Sequence, residues 1–537
     1  MENYIVNLIN IKVKENIVEI EGICKYKKEE NILIITDSMD VLQEKYEEID
    51  FSKEYNIIKI SLTIRDIKNN IIKFKVKKNN ELYNTIILDN KNNEVVLNGN
   101  SYTIFLKKFK IILSKDKIEI KKKKVYDRLL YELKKQIYAV KKHYKFALIR
   151  LISRKNKKYY LFNDRIMYGD DNAEQLFKYI NRVDKKMSKN CYFILDRCSP
   201  RYKLIRKYGK VIKFGSLQHK IKYINSRMIL SSHASYFDRV YNPFNEQEMH
   251  LVKDLITKKF VFLQHGVTFN DVHEILNRSQ IIADLFITST HAEYDEIKST
   301  RYMYHSDMVV CTGMSRFDKL ENKKDNVILI APTWRAYLTD VKYRQNNERQ
   351  EFKKSMFYIE YKKILEDKQL INKLKEYNFK IKFLLHPAFI QFKKEFEEYK
   401  NESVEVLTTE EATYSELFKE CAIFVTDYSS THFDLAYMKK PIIYYQFDLE
   451  KFYEAHYNKG YFEYEKDSFG DVVYTKENLM NELINYLENN CNIKEKYKKR
   501  IEETFNYIDN DNSKRIYEKI KDIDKKNEYN YRFNNVH

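Results

Sequence analysis

The sequence predicts an α/β protein in which two Rossmann-like domains face each other across a cleft, with a small all-β domain in front of them. Three observations carry this expectation. Beyond residue 158, short apolar runs alternate with helical stretches through two successive series, the pattern of parallel sheets covered by helices. Residues 1–120 instead hold several short alternating runs with no helical interval, which reads as an antiparallel sheet or sandwich. Turn formers are scarce: nine glycines, five prolines and one tryptophan occur in 537 residues. Pro332, Pro387, Pro441 and Trp334 all fall at the edges of apolar runs. Where breakers are this few, each marks a turn the fold needs.

Within 1–120 the runs include YIVNLINIKV, NIVEIEGI and NIIKISLTI, with Asn-rich and Lys-rich gaps between them. They hold no catalytic cluster, so an accessory role is expected. Residues 121–158 carry fifteen Lys/Arg against Asp127 and Glu132. Leu130, Leu133, Ile137, Val140, Tyr144, Leu148 and Leu151 recur there at helical spacing, predicting one basic amphipathic linker helix. Its stripe is expected to pack on the next domain, the ordinary fate of such a face, with an anionic bilayer as the alternative. The first series has strands expected at 190–195, 211–214, 227–231, 260–264, 284–288 and 308–312, inside a domain spanning 159–320. A Lys-rich hinge at 318–326 leads to the second series, at 327–331, 380–385, 404–407, 422–426 and 441–446, inside 321–520. Residues 473–520 read as helical, and 521–537 as a polar tail that frays.

Composition narrows the function. No stretch approaches the ~20 apolar residues that a membrane-spanning helix requires. The opening Met-Glu-Asn-Tyr-Ile-Val has no basic and apolar leader pattern, so a cytoplasmic location is expected. The six cysteines are scattered without Cys-x-x-Cys spacing, as buried thiols in a reducing compartment would be. A formal net charge of +19 suits an anionic partner or substrate, although a general preference for Lys, Asn, Ile and Tyr dilutes that signal. Walker and Gly-x-Gly-x-x-Gly loops are both absent, which argues against a P-loop ATPase and a standard NAD enzyme. No Asp-x-Asp or His-x-x-Glu cluster points to a metal, so neither metal nor cofactor is expected.

Ligands of open α/β sheets bind at the carboxyl ends of the strands, and four such ends carry reactive groups. The most informative is Thr426-Asp427-Tyr428-Ser429-Ser430, between an apolar run and a helical stretch. Free amides and the positive end of a helix dipole, joined by hydroxyls, make a seat for phosphate; plain helix capping by Asp427 and Ser429 is the simpler alternative. His265 follows the run of the first series, and His386 precedes Pro387 in the second. Imidazole is the side chain best matched to proton transfer near neutral pH, and two of them on opposite cleft walls outweigh a structural role for each. His233 also stands at a strand end. Thr333 and Arg335 follow the fourth run, where a guanidinium could grip a diphosphate bidentately. Trp334 beside them is equally suited to stacking or to the core.

QHGV (264–267), TGMSRFD (312–318), APTWR (331–335), LLHP (384–387) and TDYSS…FDLAYMKKPIIYY (426–445) stand in this order. With KGYFEY (459–464), DNSKRIYEKI (511–520) and NDRIMYGDDNAEQLFKYI (163–180), the chain from about 160 to 520 resembles the CDP-glycerol glycerophosphotransferase family of teichoic-acid and capsule enzymes. The resemblance implies a GT-B-like architecture and transfer of a polyol phosphate from a CDP-activated donor such as CDP-glycerol, with release of CMP. It implies that His265 takes the acceptor's proton and that His386 contacts or protonates the phosphate region. Thr333, Arg335, Thr426, Asp427, Ser429 and Ser430 would line the donor diphosphate. A polyprenol-linked or polyol-phosphate polymer would be the acceptor, met at the anionic inner face of the membrane. Two rival functions fit parts of the sequence: a GT-B glycosyltransferase using a nucleotide sugar, and a basic RNA-binding protein. No interleaving of aromatic and basic residues supports the second, and no nucleic-acid partner is expected.

Overall fold

The computed structural model describes residues 4–14, 17–25, 32–36, 55–63, 71–78, 81–88, 102–105, 109–114, 117–124, 126–142, 144–153, 157–167, 169–234, 241–249, 251–252, 255–256, 258–278, 280–338, 348–455, 458–525 and 531–532. Two parallel sheets dominate it. The first has seven strands, Tyr159–Asn163, Cys191–Leu195, Lys210–Lys213, Ser226–Ser231, Lys259–Phe262, Leu285–Thr288 and Val309–Cys311. Numbered along the chain they lie side by side as 3-2-1-4-5-6-7. The second sheet has six, Val327–Ile330, Lys380–Leu385, Val404–Thr408, Ile423–Thr426, Ile442–Tyr445 and Asp471–Val473, in the order 3-2-1-4-5-6. In both, the order reverses between strands 1 and 4, which opens a crevice at their carboxyl ends.

The strands are almost uninterrupted apolar runs because helices cover both faces. Leu161, Ile194 and Ile229 point to one face of the first sheet, and Phe162, Phe193 and Leu230 to the other. The second sheet divides likewise, with Ile330 and Val425 on one side and Leu329 and Phe424 on the other. Each sheet with its helices is called a lobe below. Sequence periodicity missed the opening strand of the first lobe, Tyr159–Asn163, which sits directly after the basic segment, and the short edge strand Asp471–Val473.

The lobes are stitched together by the end of the chain. The Asn512–Lys525 helix starts where the Asp318 carboxylate accepts the amides of Asn512 and Ser513 at 2.9 and 2.8 Å, an N-terminal cap supplied from another segment. It then runs back over the first lobe, burying Ile516 and Ile520 in that lobe's core, and Asp524 accepts from the Tyr160 hydroxyl at 2.8 Å. The expected fraying from 521 is therefore corrected. The helix continues to Lys525, and Tyr531–Arg532 pair antiparallel with Asn10 and Ile11. Residues 526–530 and 533–537 lie outside the described residues.

In front of the lobes, ten strands among the described residues between Tyr4 and Lys122 form two sheets. The expected antiparallel pairing holds except between Tyr4–Lys14 and Glu81–Leu88, which pair in parallel. The basic segment is two helices, Asp127–Lys142 and Tyr144–Ile152, rather than one. Its apolar stripe does not pack as expected. Leu129, Leu130, Leu133, Ile137, Leu148 and Leu151 are exposed, at 49–73% of their full surface. The second helix docks instead through Phe146, Ala147 and Ile149, which turn the opposite side into the first lobe's core. The side chains of Val140 and Tyr144 lie outside the described residues. Of the described cysteines, Cys191, Cys421 and Cys491 are buried free thiols, Cys311 is half-buried, and Cys198 is exposed, contrary to expectation.

Candidate active site

His265 stands just past the Lys259–Phe262 strand on a backbone bent by Gln264, whose φ is +60°. A left-handed conformation at a residue with a side chain costs on the order of 1–2 kcal/mol, and a buried network holds it. Gln264 Nε2 donates to the Ile287 carbonyl at 2.7 Å and to Glu293 at 2.8 Å. Glu293 also accepts the amides of Thr268 and Ser289, both at 2.6 Å. Burial raises the Glu293 carboxyl to about 7. The loop is thus fixed from below, and the imidazole, 55% exposed, projects into the cleft.

The ring is oriented by Asp171, which caps the Asn172–Val183 helix. Asp171 Oδ2 lies 2.8 Å from His265 Nδ1. Arg165, which cannot give up its proton, places Nη2 3.3 Å from Nε2. The pair assigns the tautomer: Nδ1–H donates to Asp171 and Nε2 carries the lone pair. Burial opposes charge on Asp171, but the Arg316 guanidinium and the bond with His265 hold its carboxyl well below the usual range. Arg316 donates to Asp171 Oδ1 at 2.9 Å and bidentately to Asp434 at 2.7 Å on each oxygen, and it also contacts the His265 carbonyl. Asp434 belongs to the second lobe, in the His432–Tyr437 helix that follows the serine corner. One mostly buried guanidinium therefore ties the orienting carboxylate of the histidine to the opposite wall. His233 lies beside His265, with ring centroids 4.5 Å apart and planes tilted by 33°, and burial holds it neutral by pushing its pKa well down.

On the second wall Asp427 is completely buried, accepting the amides of Thr333 at 2.8 Å and Tyr428 at 2.6 Å. Thr426 Oγ1 donates to the Ala331 carbonyl at 2.9 Å. These bonds lock the ends of neighbouring strands 1 and 4 together. Ser429 and Ser430 rise half-buried from that base, and Ser429 Oγ bonds Thr431 Oγ1 at 2.8 Å. The Thr333 hydroxyl is buried and finds no protein partner among the described residues. Arg335 does not reach the cleft. It is 0% exposed, donates to Asp448 at 2.7 and 2.9 Å and to the Thr333 carbonyl at 2.6 Å, and forms an ion pair with Asp427 Oδ2 at 2.9 Å. Tyr428, Phe452 and Phe357 surround its guanidinium. Its expected grip on a diphosphate gives way to a scaffold role, because a fully desolvated guanidinium must be paired. His386 is half-buried, accepts the Ala388 amide through Nδ1 at 3.2 Å and stacks on Trp334. It stands two strands from the serine corner, on the order of 10 Å at ordinary strand spacing.

The two walls meet. A Cβ built on Gly266 would stand 2.9 Å from Ser430 Oγ, so the loop bearing His265 lies directly against the serine corner. Phe269 pushes into the second lobe, 5.1 Å from His432 and 5.6 Å from Phe462 between ring centroids. Tyr461 donates back to the Thr268 carbonyl at 2.9 Å. The structure thus brings together His265, Ser430 and their neighbours, and sets His386 further along the same sheet edge. Asp171, His233 and His265 place ligand atoms within 4.8 Å of one another, a spacing that suits a divalent cation. Guanidinium groups already occupy that set: Arg316 on Asp171, and Arg165 on both rings. Two positive charges at hydrogen-bond distance oppose a third.

Sequence reading missed Asp171, Arg316, Arg165 and Asp434. The signal for Asp171 was its place before a helix, which reads as a cap and nothing more; its pairing with His265, 94 positions on, is purely tertiary.

Comparison with known proteins identifies the family. The model of the CDP-Glycerol:Poly(glycerophosphate) glycerophosphotransferase family matches residues 142–522. The chain is 37% identical over 396 residues to the minor teichoic acid biosynthesis protein GgaB of Bacillus subtilis, across 73% of this chain and 42% of that protein. It is 30% identical over 165 residues to a teichoic acid poly(glycerol phosphate) polymerase of Bacillus spizizenii, across 30% of this chain and 36% of that one. The matches thus span about two fifths of these relatives' lengths. Among solved structures, that of the wall teichoic acid polymerase TagF superposes with a TM-score of 0.52 at 16% identity, covering 74% of this chain and 98% of that one; this likeness speaks to fold alone. With the family's model matched across both lobes, the chain belongs to the CDP-glycerol:poly(glycerophosphate) glycerophosphotransferase family.

Proposed function

We propose that this chain transfers a glycerol-phosphate or related polyol-phosphate unit from a CDP-activated donor to a hydroxyl of a lipid-linked or polymeric acceptor, releasing CMP, in teichoic acid or capsule biosynthesis. The observation that carries the reading is the oriented Asp171–His265 pair set against the Ser430 corner. The acceptor oxygen forms a bond to the phosphorus bearing the polyol, roughly in line, as the bond from that phosphorus to the CMP oxygen breaks. CMP leaves with the electron pair, and the acceptor's proton passes to His265 Nε2. Asp171 keeps Nδ1 protonated and offsets the charge that the ring gains. Ser429, Ser430 and the Thr333 hydroxyl hold the donor's phosphates, over a floor fixed by Asp427, Thr426 and Arg335. His386, beside Trp334, meets the same phosphate region. Closure of the lobes excludes water, so that hydrolysis does not compete.

In this reading 159–320 and 321–520 are the acceptor-side and donor-side Rossmann-like halves of a GT-B pair, 1–120 is an accessory β domain and 121–158 is the link. The exposed leucine face of the two basic helices supports peripheral attachment to the cytoplasmic face of an anionic membrane, where each Lys or Arg near the surface adds about 1 kcal/mol. Incubation with CDP-glycerol and an acceptor should release CMP. Release of UDP from a nucleotide sugar, with none of CMP, would make the protein a glycosyltransferase and reject the reading.

A further inference from the structure

Three consecutive positions across the first sheet, strands 1, 4 and 5, send Arg165, His233 and His265 to one spot on the cleft wall. Arg165 Nε points at His233 Nε2 at 3.4 Å and Nη2 at His265 Nε2 at 3.3 Å. Both contacts are long for hydrogen bonds. A guanidinium has five donors in a fixed fork, and these two contacts engage few of them. The contrast with its neighbours is sharp. Arg335 is buried and Arg316 is mostly so, with 12% of its side chain exposed, and each is paired with two carboxylates. Arg165 is exposed, and among the described residues it faces two imidazoles and no carboxylate. Asp171, the acidic group closest to the rings, is already committed to Arg316 and to His265 Nδ1.

Resting on the transferase reading above, we propose that Arg165, steadied through its Nε by His233 Nε2, forms an anion subsite for a phosphate group of the substrate, and that the arriving phosphate draws Arg165 off His265 Nε2 and so uncovers the base. A phosphate oxygen pair matches the guanidinium fork and outcompetes a long contact to a neutral ring. The side chain is free to turn because it lies at the surface. Until an anion is bound, the lone pair that must accept the proton faces a group unable to give up its own. Where the acceptor supplies that phosphate, the same device disfavours water, since a lone water brings no anion to release the base. Two phosphates could fill the subsite: the donor's diphosphate, or the phosphodiester next to the attacked hydroxyl of a polymeric acceptor.

Binding and kinetics test this separately. Inorganic phosphate titrated into the full chain should shift the imidazole NMR signals of His233 and His265, identified with His233→Gln and His265→Gln variants. Arg165→Gln should abolish those shifts while its thermal melt stays unchanged. This readout needs no turnover, so it stands or falls apart from the transferase reading, which fails if the wild-type chain releases no CMP from CDP-glycerol. Absence of a phosphate-dependent shift in the wild type, or its persistence in Arg165→Gln, overturns the subsite. In the kinetic arm, losing a charged hydrogen bond predicts a 10–100-fold effect, roughly, in Arg165→Gln. A rise in the KM of a phosphodiester-bearing acceptor, with CDP-glycerol binding unchanged, assigns the site to the acceptor. Weaker CDP-glycerol binding with an unchanged acceptor KM assigns it to the donor. An unchanged value for both overturns the proposal.

Discussion

The two cleft walls are built on sheets of the same order, yet they use charge in opposite ways. On the first wall the charged and proton-accepting groups reach the surface: His265 is exposed, Arg165 is exposed, and Asp171 lies just behind them. On the second wall the charges are sunk out of reach, with Arg335, Asp427 and Asp448 forming a buried cluster under neutral hydroxyls. Proton transfer needs a group whose protonation can change, so its partners must stay adjustable and close to solvent. Holding an anionic donor needs a rigid floor with amides and hydroxyls aimed outward, and a desolvated ion cluster gives rigidity at the cost of mobility. Arg316 joins the two schemes by bonding Asp171 on one side and Asp434 on the other.

The comparison breaks most visibly at His265. His265→Ala should lower the turnover number by 10²–10⁴-fold, roughly, with the melting temperature and CDP binding retained, because the side chain is exposed. Asp171→Asn should follow it in direction with a smaller loss, since the amide no longer enforces the Nδ1–H tautomer. Steady-state CMP release checks both.

The second wall should fail by a different route. Arg335→Met leaves Asp427 and Asp448 buried without their cation, a loss of about 3–5 kcal/mol. Calorimetry should show a melting temperature lower by about 10 °C for a lobe of this size. Activity lost in step with stability, rather than alone, distinguishes a scaffold residue from one that touches the donor.

A third effect concerns the aromatic contact between the lobes. His432 is buried among Phe269, Phe433, Tyr444 and Phe462, and burial lowers its pKa to about 3. The unfolded chain, with an ordinary value near 6.5, takes up the proton first. Its stability contribution is therefore intact above about pH 6.5 and lost progressively as pH falls towards 3. Buried His219 behaves the same way and remains in any His432 variant. Between pH 7.5 and pH 5 the stability of His432→Phe relative to the wild type should improve by about 2 kcal/mol, measurable by urea unfolding at the two pH values. The smallest effect belongs to Gly266→Ala. Its methyl meets Ser430 Oγ, the movable end of a side chain, so a few-fold weaker donor KM is expected, with stability changed by less than about 1 kcal/mol.

Much of this was legible in the sequence because it depends on local pattern. Apolar runs gave the strands, and His265, His386 and the Thr426–Ser430 corner were placed at strand ends by the residues around them. What escaped depends on partners distant in the chain. Arg335 after a strand end looks like a cleft residue until Asp448, 113 positions on, is seen to bury it. Asp171 and Arg316 look like a cap and a surface charge until folding sets them 2.9 Å apart. The leucine stripe of the basic helices was read correctly as a face but assigned the wrong neighbour, since periodicity reports that a face is apolar and not what covers it.

The claim beneath all of this is that the donor's diphosphate sits on the serine corner, with its polyol-bearing phosphorus turned towards His265. A crystal structure of the His265→Ala variant with CDP-glycerol tests it most directly. Phosphate oxygens bonded to Ser429 and Ser430, and that phosphorus facing the space left by the imidazole beside Asp171, is the expected result. A diphosphate seated elsewhere on the sheet edge, out of reach of position 265, would contradict the account.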